Sequence, residues 1–313
     1  MSHHLNDLPL YTPTLLVETS CLLGEGPIWD SLNQKLYWVD IKRSTLWSWS
    51  WPTDQAPMGQ VSSWKLDVRG SALALFYPQN PEDSLKEGLL IAAEQGLYHF
   101  HIQTQVLTHL LTLPNETQSN RTNDGKCDPF GHFWVGTMDD QEQNDTGNMY
   151  RIDENLNVYP YQDHIGVSNT FAWHPSTHRF YFADSKKQTI FKYKYTESTH
   201  HLSSPQPWVQ IEDAYPDGSC IDSQGNLWNC QWDGSRVNQY SPQGTLLRSC
   251  DLDVPRPTSC TLGGPHLNLL FITSASVGLN DEDLNKAPLS GSVWVMRVEE
   301  KGTEEHRFIL NRK

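Results

Sequence analysis

Six short runs of aromatic and aliphatic residues recur along the chain at intervals of about 43 to 53 residues. They are Leu36–Ile41, Leu89–Ala93, Phe133–Gly136, Phe180–Asp184, Leu227–Cys230 and Leu270–Thr273. A second run follows each after a turn: Thr45–Ser50, Gly96–His101, Asn148–Ile152, Thr189–Lys194, Arg236–Tyr240 and Ser292–Arg297. Most members of this second set alternate apolar and polar residues, as an outer strand with one wetter face should. The period is that of a four-stranded propeller blade. The expected fold is therefore all-β, a six-bladed β-propeller with four-stranded blades around a central channel. Thr14–Glu18 is expected to add the last strand of the sixth blade and close the ring. Pro and Gly are spread evenly, so no linker divides the chain. Residues 1–12 are expected to form a flexible N-terminal arm, and 13–313 one propeller domain.

The repeat carries a polar register. Glu25, Asn123, Asn169 and Asp217 each precede a turn residue by five positions: Asp30, Asp128, His174 and Asp222 respectively. Asp128-Pro-Phe-Gly131 and Asp222-Ser-Gln-Gly225 have turn formers at fixed offsets. The segment leading each blade should be the innermost strand, so its first residues should sit at one mouth of the channel. Ser259 fits the same register in the last blade, and Ser71 is the best match in the second. Taken singly, each polar residue could simply line a wet channel and satisfy strand-end backbone groups. As a set in register they look like oxygen donors for a hard divalent cation.

Composition narrows the partners. The formal net charge is −14, which disfavours nucleic acid and anionic membrane surfaces. Aromatic residues make up 11% of the chain, which argues for β structure and against disorder. No stretch approaches the roughly 20 apolar residues of a membrane span. The N-terminus lacks a basic and apolar leader pattern, so a cytoplasmic location is expected. The six cysteines form no CxxC pair and are expected to be reduced thiols. The N-x-T sequons at Asn115, Asn120 and Asn144 then count as chance matches. No HExxH, P-loop or GxSxG motif occurs. Cys127, Cys220 and Cys260 read as buried core residues. His99 and His101 are expected to be exposed on an outer strand, and Asp184 to bond a neighbouring turn.

At these residues the chain resembles the SMP-30/gluconolactonase family, which includes regucalcin and sugar lactonases. The resemblance runs from about Leu22 to Arg297. Its carriers are Leu23-Gly-Glu-Gly-Pro-Ile-Trp29, Arg121-Thr-Asn-Asp-Gly-Lys126, Gly136-Thr-Met138, Ser168-Asn-Thr-Phe-Ala-Trp173, Pro216-Asp-Gly-Ser-Cys220 and Ser259-Cys-Thr-Leu-Gly-Gly264. It implies a six-bladed propeller with one catalytic divalent cation, whether Ca, Mg, Mn, Zn or Fe(II). By the same resemblance Glu25, Asn169 and Asp217 match the metal ligands, and Asp217 also the acid/base. Arg121 and Asn123, with Asp124 beside them, match the substrate-binding residues. Two departures stand out. The family usually has Ser-Asn-Gly-Leu where this chain has Ser168-Asn-Thr-Phe171, so Thr170 and Phe171 add bulk beside Asn169. After Gly136-Thr-Met138, any of Asp139, Asp140 and Gln141 could reach the substrate.

The activity this implies is hydrolysis of a sugar-derived lactone to the aldonic acid. The cation would act as Lewis acid and Asp217 as proton carrier, in a monomer or weak homo-oligomer. Two alternatives share the scaffold: a metal-dependent esterase or phosphotriesterase, and a non-catalytic calcium-binding propeller. Strictosidine-synthase-like propellers are a further relative, but they would not need the Glu-Asn-Asp set.

Overall fold

The computed structural model describes residues 5, 7–77 and 87–311. Strand β1 (Thr14–Val17) precedes the first blade. Blade I is β2 (Gly24–Asp30), β3 (Lys35–Asp40), β4 (Thr45–Ser50) and β5 (Gln60–Lys65). Blade II is β6 (Gly70–Phe76), β7 (Gly88–Ala93), β8 (Gly96–His101) and β9 (Val106–Thr112). Blade III is β10 (Asn120–Cys127), β11 (Phe133–Asp139), β12 (Gly147–Ile152) and β13 (Val158–Ile165). Blade IV is β14 (Ser168–Trp173), β15 (Arg179–Asp184) and β16 (Thr189–Thr196), edged by β17 (His201–Leu202) and β18 (Gln206–Gln210). Blade V is β19 (Tyr215–Ile221), β20 (Leu227–Trp232), β21 (Arg236–Tyr240) and β22 (Leu246–Asp251). Blade VI is β23 (Pro257–Gly263), β24 (Leu269–Ser274) and β25 (Val293–Arg297), completed by β1 pairing antiparallel with β25. The chain's two ends thus close the ring inside one sheet, as the sequence led us to expect.

The inner strands β2, β6, β10, β14, β19 and β23 each touch the next, and β23 returns to β2. Apolar clusters fill the spaces between neighbouring blades. One joins Leu73, Leu75 and Leu89 of blade II to Tyr37 and Val39 of blade I. Another packs Trp134 of blade III against Phe171, Trp173 and Phe180 of blade IV. The recurring aromatic runs are the second strands, which are buried on both faces, and this is why they read as continuous apolar segments.

The aspartates five residues into the repeat have a structural task. Asp128 accepts the backbone N–H groups of Phe130 (2.9 Å) and His132 (3.0 Å) and the indole N–H of Trp134 (2.9 Å). Asp222 does the same with Gln224, Asn226 and Trp228, and Asp30 holds the N–H groups of Leu32 and Asn33. Each carboxylate replaces a missing turn hydrogen bond and ties the turn to the next strand. Gly131 and Gly225 close these turns at φ of 86° and 85°, where a side chain would be strained. Asp184 also behaves as expected, accepting the N–H groups of Gly166 and Val167 from a neighbouring loop.

One expectation fails. His99 is 1% exposed, and its ring meets Phe76 of the same sheet edge-on at 4.8 Å. His101, at the strand's end, is partly exposed. The N-terminal segment is described at residues 5 and 7–12, and the rest of that expectation lies outside the described residues. Leu5 and Leu8 pack on the cluster around Trp38 and Val295, and Tyr11 stacks on Trp228. All six cysteines are buried free thiols. Among the described residues no helix is long and apolar enough to cross a membrane.

The far end of the channel is occupied by the C-terminal tail. Strand β26 (Arg307–Phe308) lies parallel to β6 on the channel side of blade II. Glu305, just before it, accepts from Lys126 Nζ (3.2 Å) of blade III and from Thr261 Oγ1 (2.7 Å) of blade VI. Replacing Asp128 with Ala strands several buried donors at once. We expect a loss of about 2–4 kcal/mol in unfolding free energy by urea titration, with the native circular dichroism spectrum retained in buffer.

Candidate active site

Every inner strand breaks its pairing register near its start. The shifts fall between Glu25 and Ile28, Gly70 and Ala72, Thr122 and Gly125, Asn169 and Ala172, Pro216 and Ser219, and Pro257 and Cys260. Such irregularities bend the strand and re-aim a side chain. Glu25, Asn123, Asn169 and Asp217 all stand at these shifts, so their common register in the sequence is a common backbone bend. All four line one cavity of about 380 Å³ at a channel mouth, together with Arg121. All five are more than nine-tenths buried.

A hydrogen-bond chain orients the polar groups. Arg121 Nη1 donates to Asn123 Oδ1 (2.8 Å), and Asn123 Nδ2 donates to Asn169 Oδ1 (3.0 Å). Asn169 Nδ2 donates to Ser185 Oγ (2.9 Å). On its other side, Arg121 Nε donates to Asp140 Oδ1 (2.7 Å), which also receives Lys42, while Arg69 donates to Asp140 Oδ2. Burial disfavours the charge on Asp140, but those three cations outweigh it and hold its pKa well below the carboxylate range. Asp140 is therefore an anchor for Arg121. Asp139 instead caps its own loop by accepting from Gln143 and Asn144, and Gln141 faces a neighbouring surface groove.

Asp124 does not line the cavity, although its charge acts on Glu25 and Asp217. Its carboxylate is taken by the N–H groups of Gly125 (2.7 Å) and Phe171 (3.4 Å). Ser71 and Ser259 occupy equivalent bends but do not line the cavity, and Ser71 Oγ donates to Thr122 Oγ1 (2.8 Å). The Thr170-Phe171 departure leaves Asn169 in place. Phe171 turns into the aromatic core, and Thr170 Oγ1 donates to the Asp217 carbonyl (2.5 Å) across the blade boundary. Thr170 adopts φ 61°, close to the 55° of Gly26 at the equivalent place after Glu25. Here the chain puts a β-branched residue where glycine is the easy choice.

The sequence did not reveal the rest of the wall, which includes Met138, Glu142, Ser185, Lys186, Tyr215 and Trp232. These come from strand ends and loops outside the repeating register. The usable signals were Met138, which closes the Gly136-Thr-Met138 motif, and Ser185, which follows the aromatic run ending at Asp184.

The donor set fits a hard cation. Burial, then the charge of Asp124, pushes the Glu25 carboxyl up to about 8, against the pull of the Gly26 N–H and Arg121. Burial, then the charges of Glu25 and Asp124, raises Asp217 well above the carboxylate range. Two buried carboxylates that repel each other are stabilised by a shared positive charge. Among the described residues no group of three or more His, Cys, Asp or Glu side chains is placed to hold a metal ion; the Asn169 amide oxygen lies on the same cavity as the two carboxyls. An all-oxygen set suits calcium, magnesium or manganese.

The family model described as SMP-30/gluconolactonase/LRE-like region matches residues 23–276. The chain belongs to this family. It is 30% identical over 305 residues to an L-arabinolactonase of Azospirillum brasilense, covering 96% of each chain. It is 30% identical over 303 residues to a 6-deoxy-6-sulfogluconolactonase of Pseudomonas putida, covering 94% of this chain and 97% of that one. Among solved structures, the calcium-binding protein regucalcin of Agrobacterium tumefaciens superposes with a TM-score of 0.86 at 26% identity, over 96% of this chain and 98% of that chain.

The raised carboxyl pKa values make a stability prediction with a definite sign. Glu25 binds its proton more tightly folded, at about 8, than at its ordinary 4.5, so ionising it costs folded-state stability. Stripped of divalent ions, the protein should lose thermal stability as pH rises from about 4.5 to about 8. Added Ca²⁺ or Mn²⁺ should restore it, most strongly at the alkaline end. Differential scanning calorimetry across that window, with EDTA and with each ion, reads both effects.

Proposed function

We propose that this protein hydrolyses a sugar-derived lactone to its aldonic acid, with one divalent cation held by Glu25, Asn169 and Asp217. Membership of the family, with relatives named L-arabinolactonase and 6-deoxy-6-sulfogluconolactonase, makes it a lactone-hydrolysing enzyme. The observation that carries the fuller reading is the meeting of these three oxygen donors with Arg121 and Asn123 on one cavity of about 380 Å³. That volume suits a monosaccharide lactone.

When bound, a divalent cation supplies Lewis acidity and offsets negative charge growing on the lactone carbonyl oxygen. The chain's own residues do the remainder. Arg121 is locked by Asp140 on one side and Asn123 on the other. Its Nη2 has no partner among the described residues, which leaves it for a sugar hydroxyl. With Arg121 and Asn123 fixed, the ring is held with its carbonyl carbon toward Asp217. The Asp217 carboxylate takes a proton from the attacking water and returns it to the ring oxygen as the C–O bond breaks. The product is the open hydroxy acid, and Asp217 ends as it began. We place the reaction in the cytoplasm, a reading that the six free buried thiols support.

The decisive experiment is a pH-indicator assay with EDTA-treated and metal-reloaded protein. It should cover a panel of aldonolactones, an aryl ester and a phosphotriester, with spontaneous lactone opening subtracted. We expect metal-dependent turnover of at least one aldonolactone above either ester. If the reloaded protein opens no aldonolactone, the reading fails. Asp217→Asn should lower kcat by at least about 100-fold while the circular dichroism spectrum stays native.

A further inference from the structure

Ser185 follows the last residue of β15 and closes one side of the cavity. Its backbone is pinned by its N–H donating to the Val167 carbonyl (2.9 Å). Its hydroxyl has one proton, which goes to the Pro216 carbonyl at 2.6 Å. The oxygen can then only accept from the Asn169 amide nitrogen, at 2.9 Å. The direction of both bonds is therefore settled by chemistry.

Two consequences follow. The Asn169 amide cannot turn over. A flip would bring its oxygen against a hydroxyl whose proton is already committed, and its nitrogen against the Asn123 nitrogen, donor against donor. The Asn169 oxygen is thereby held toward Asn123, which lines the same cavity. The second consequence concerns Asp217, which comes directly after Pro216. The carbonyl that receives the Ser185 proton belongs to the peptide leading into Asp217. One hydroxyl of blade IV thus fixes an amide of its own blade and the backbone of blade V.

We propose that Ser185 is the positioning residue of the cation site, setting the orientation of Asn169 and the approach of Asp217 without donating to the cation itself. The inference rests on the cation-dependent reading above. It predicts that the hydroxyl matters to cation affinity even though it is wholly used in protein hydrogen bonds. Groups that orient ligands in this way are worth roughly 10- to 100-fold in metal affinity.

The test is Mn²⁺ binding, by titration calorimetry and by the electron paramagnetic resonance signal of free Mn²⁺, with no substrate present. Ser185→Ala should weaken Mn²⁺ binding by about 10-fold or more, while its circular dichroism spectrum in EDTA stays native. Ser185→Thr keeps the hydroxyl and should bind near the wild-type value. Ser290→Ala is the control, because Ser290 is also a buried hydroxyl donating to a backbone carbonyl (Ala287, 2.8 Å) and does not line the cavity. It should leave Mn²⁺ binding unchanged. Ser185→Ala binding as tightly as wild type overturns the inference. So does Ser290→Ala weakening binding equally, or a well-folded Ser185→Thr that binds as poorly as the alanine variant. A wild type that binds no Mn²⁺, Ca²⁺ or Mg²⁺ overturns the cation reading itself, and the inference with it.

Discussion

Six register shifts, one near the start of each inner strand, are the constraint on which the site depends. A regular strand sends alternate side chains into the two interblade layers and none along the channel axis. The shift breaks that alternation and turns a polar residue toward the mouth. It is tolerated there because backbone groups at the bend have side-chain partners. Asn229 Nδ2 and Thr170 Oγ1 both donate to the Asp217 carbonyl, at 2.8 and 2.5 Å. Asn123 Nδ2 donates to the Ser168 carbonyl at 2.9 Å.

The chemistry follows from burial more than from the residues alone. A glutamate and an aspartate at a protein surface would be ordinary anions. Here the same groups sit in a cavity walled by blade ends, near each other and near Asp124, and their proton affinity rises. A divalent cation bound there would offset both charges at once. Arg121 is buried too, which disfavours its charge; Asp140 opposes that only in part and takes up one edge of the guanidinium. Arg121 also lines the cavity, so the site has a guanidinium in one wall and a pair of proton-holding carboxyls in another.

The fold was almost wholly legible in the chain. The aromatic runs are the second strands because those strands are covered on both faces, and the alternating runs are the third strands because their outer neighbours cover them less completely. Their period set the blade count, and Thr14–Val17 closed the ring as its pattern suggested. His99 was misjudged because alternation says which residues share a face and not how deeply that face is covered. The site was legible in part. Glu25, Asn123, Asn169, Asp217 and Arg121 were found because they repeat, or lie beside a repeat, and they do meet. Asp124 was counted with them because it is adjacent in sequence, but one step along a bent strand sends it to the Gly125 and Phe171 N–H groups instead.

Sequence by itself determined what recurs: strand length, the turn aspartates, the glycines at positive φ, and the polar register. Those are local properties, read within about ten residues of one another. Tertiary structure alone decided which of the recurring residues share a cavity and which way each side chain faces. Asp140 reaching Arg121, Ser185 binding both Asn169 and the Pro216 carbonyl, and Glu305 meeting Lys126 and Thr261 are contacts between blades or between the tail and the ring. No periodicity encodes them, because each depends on how six separately folded sheets are tilted around one axis, and that tilt is set by packing across every interface at once.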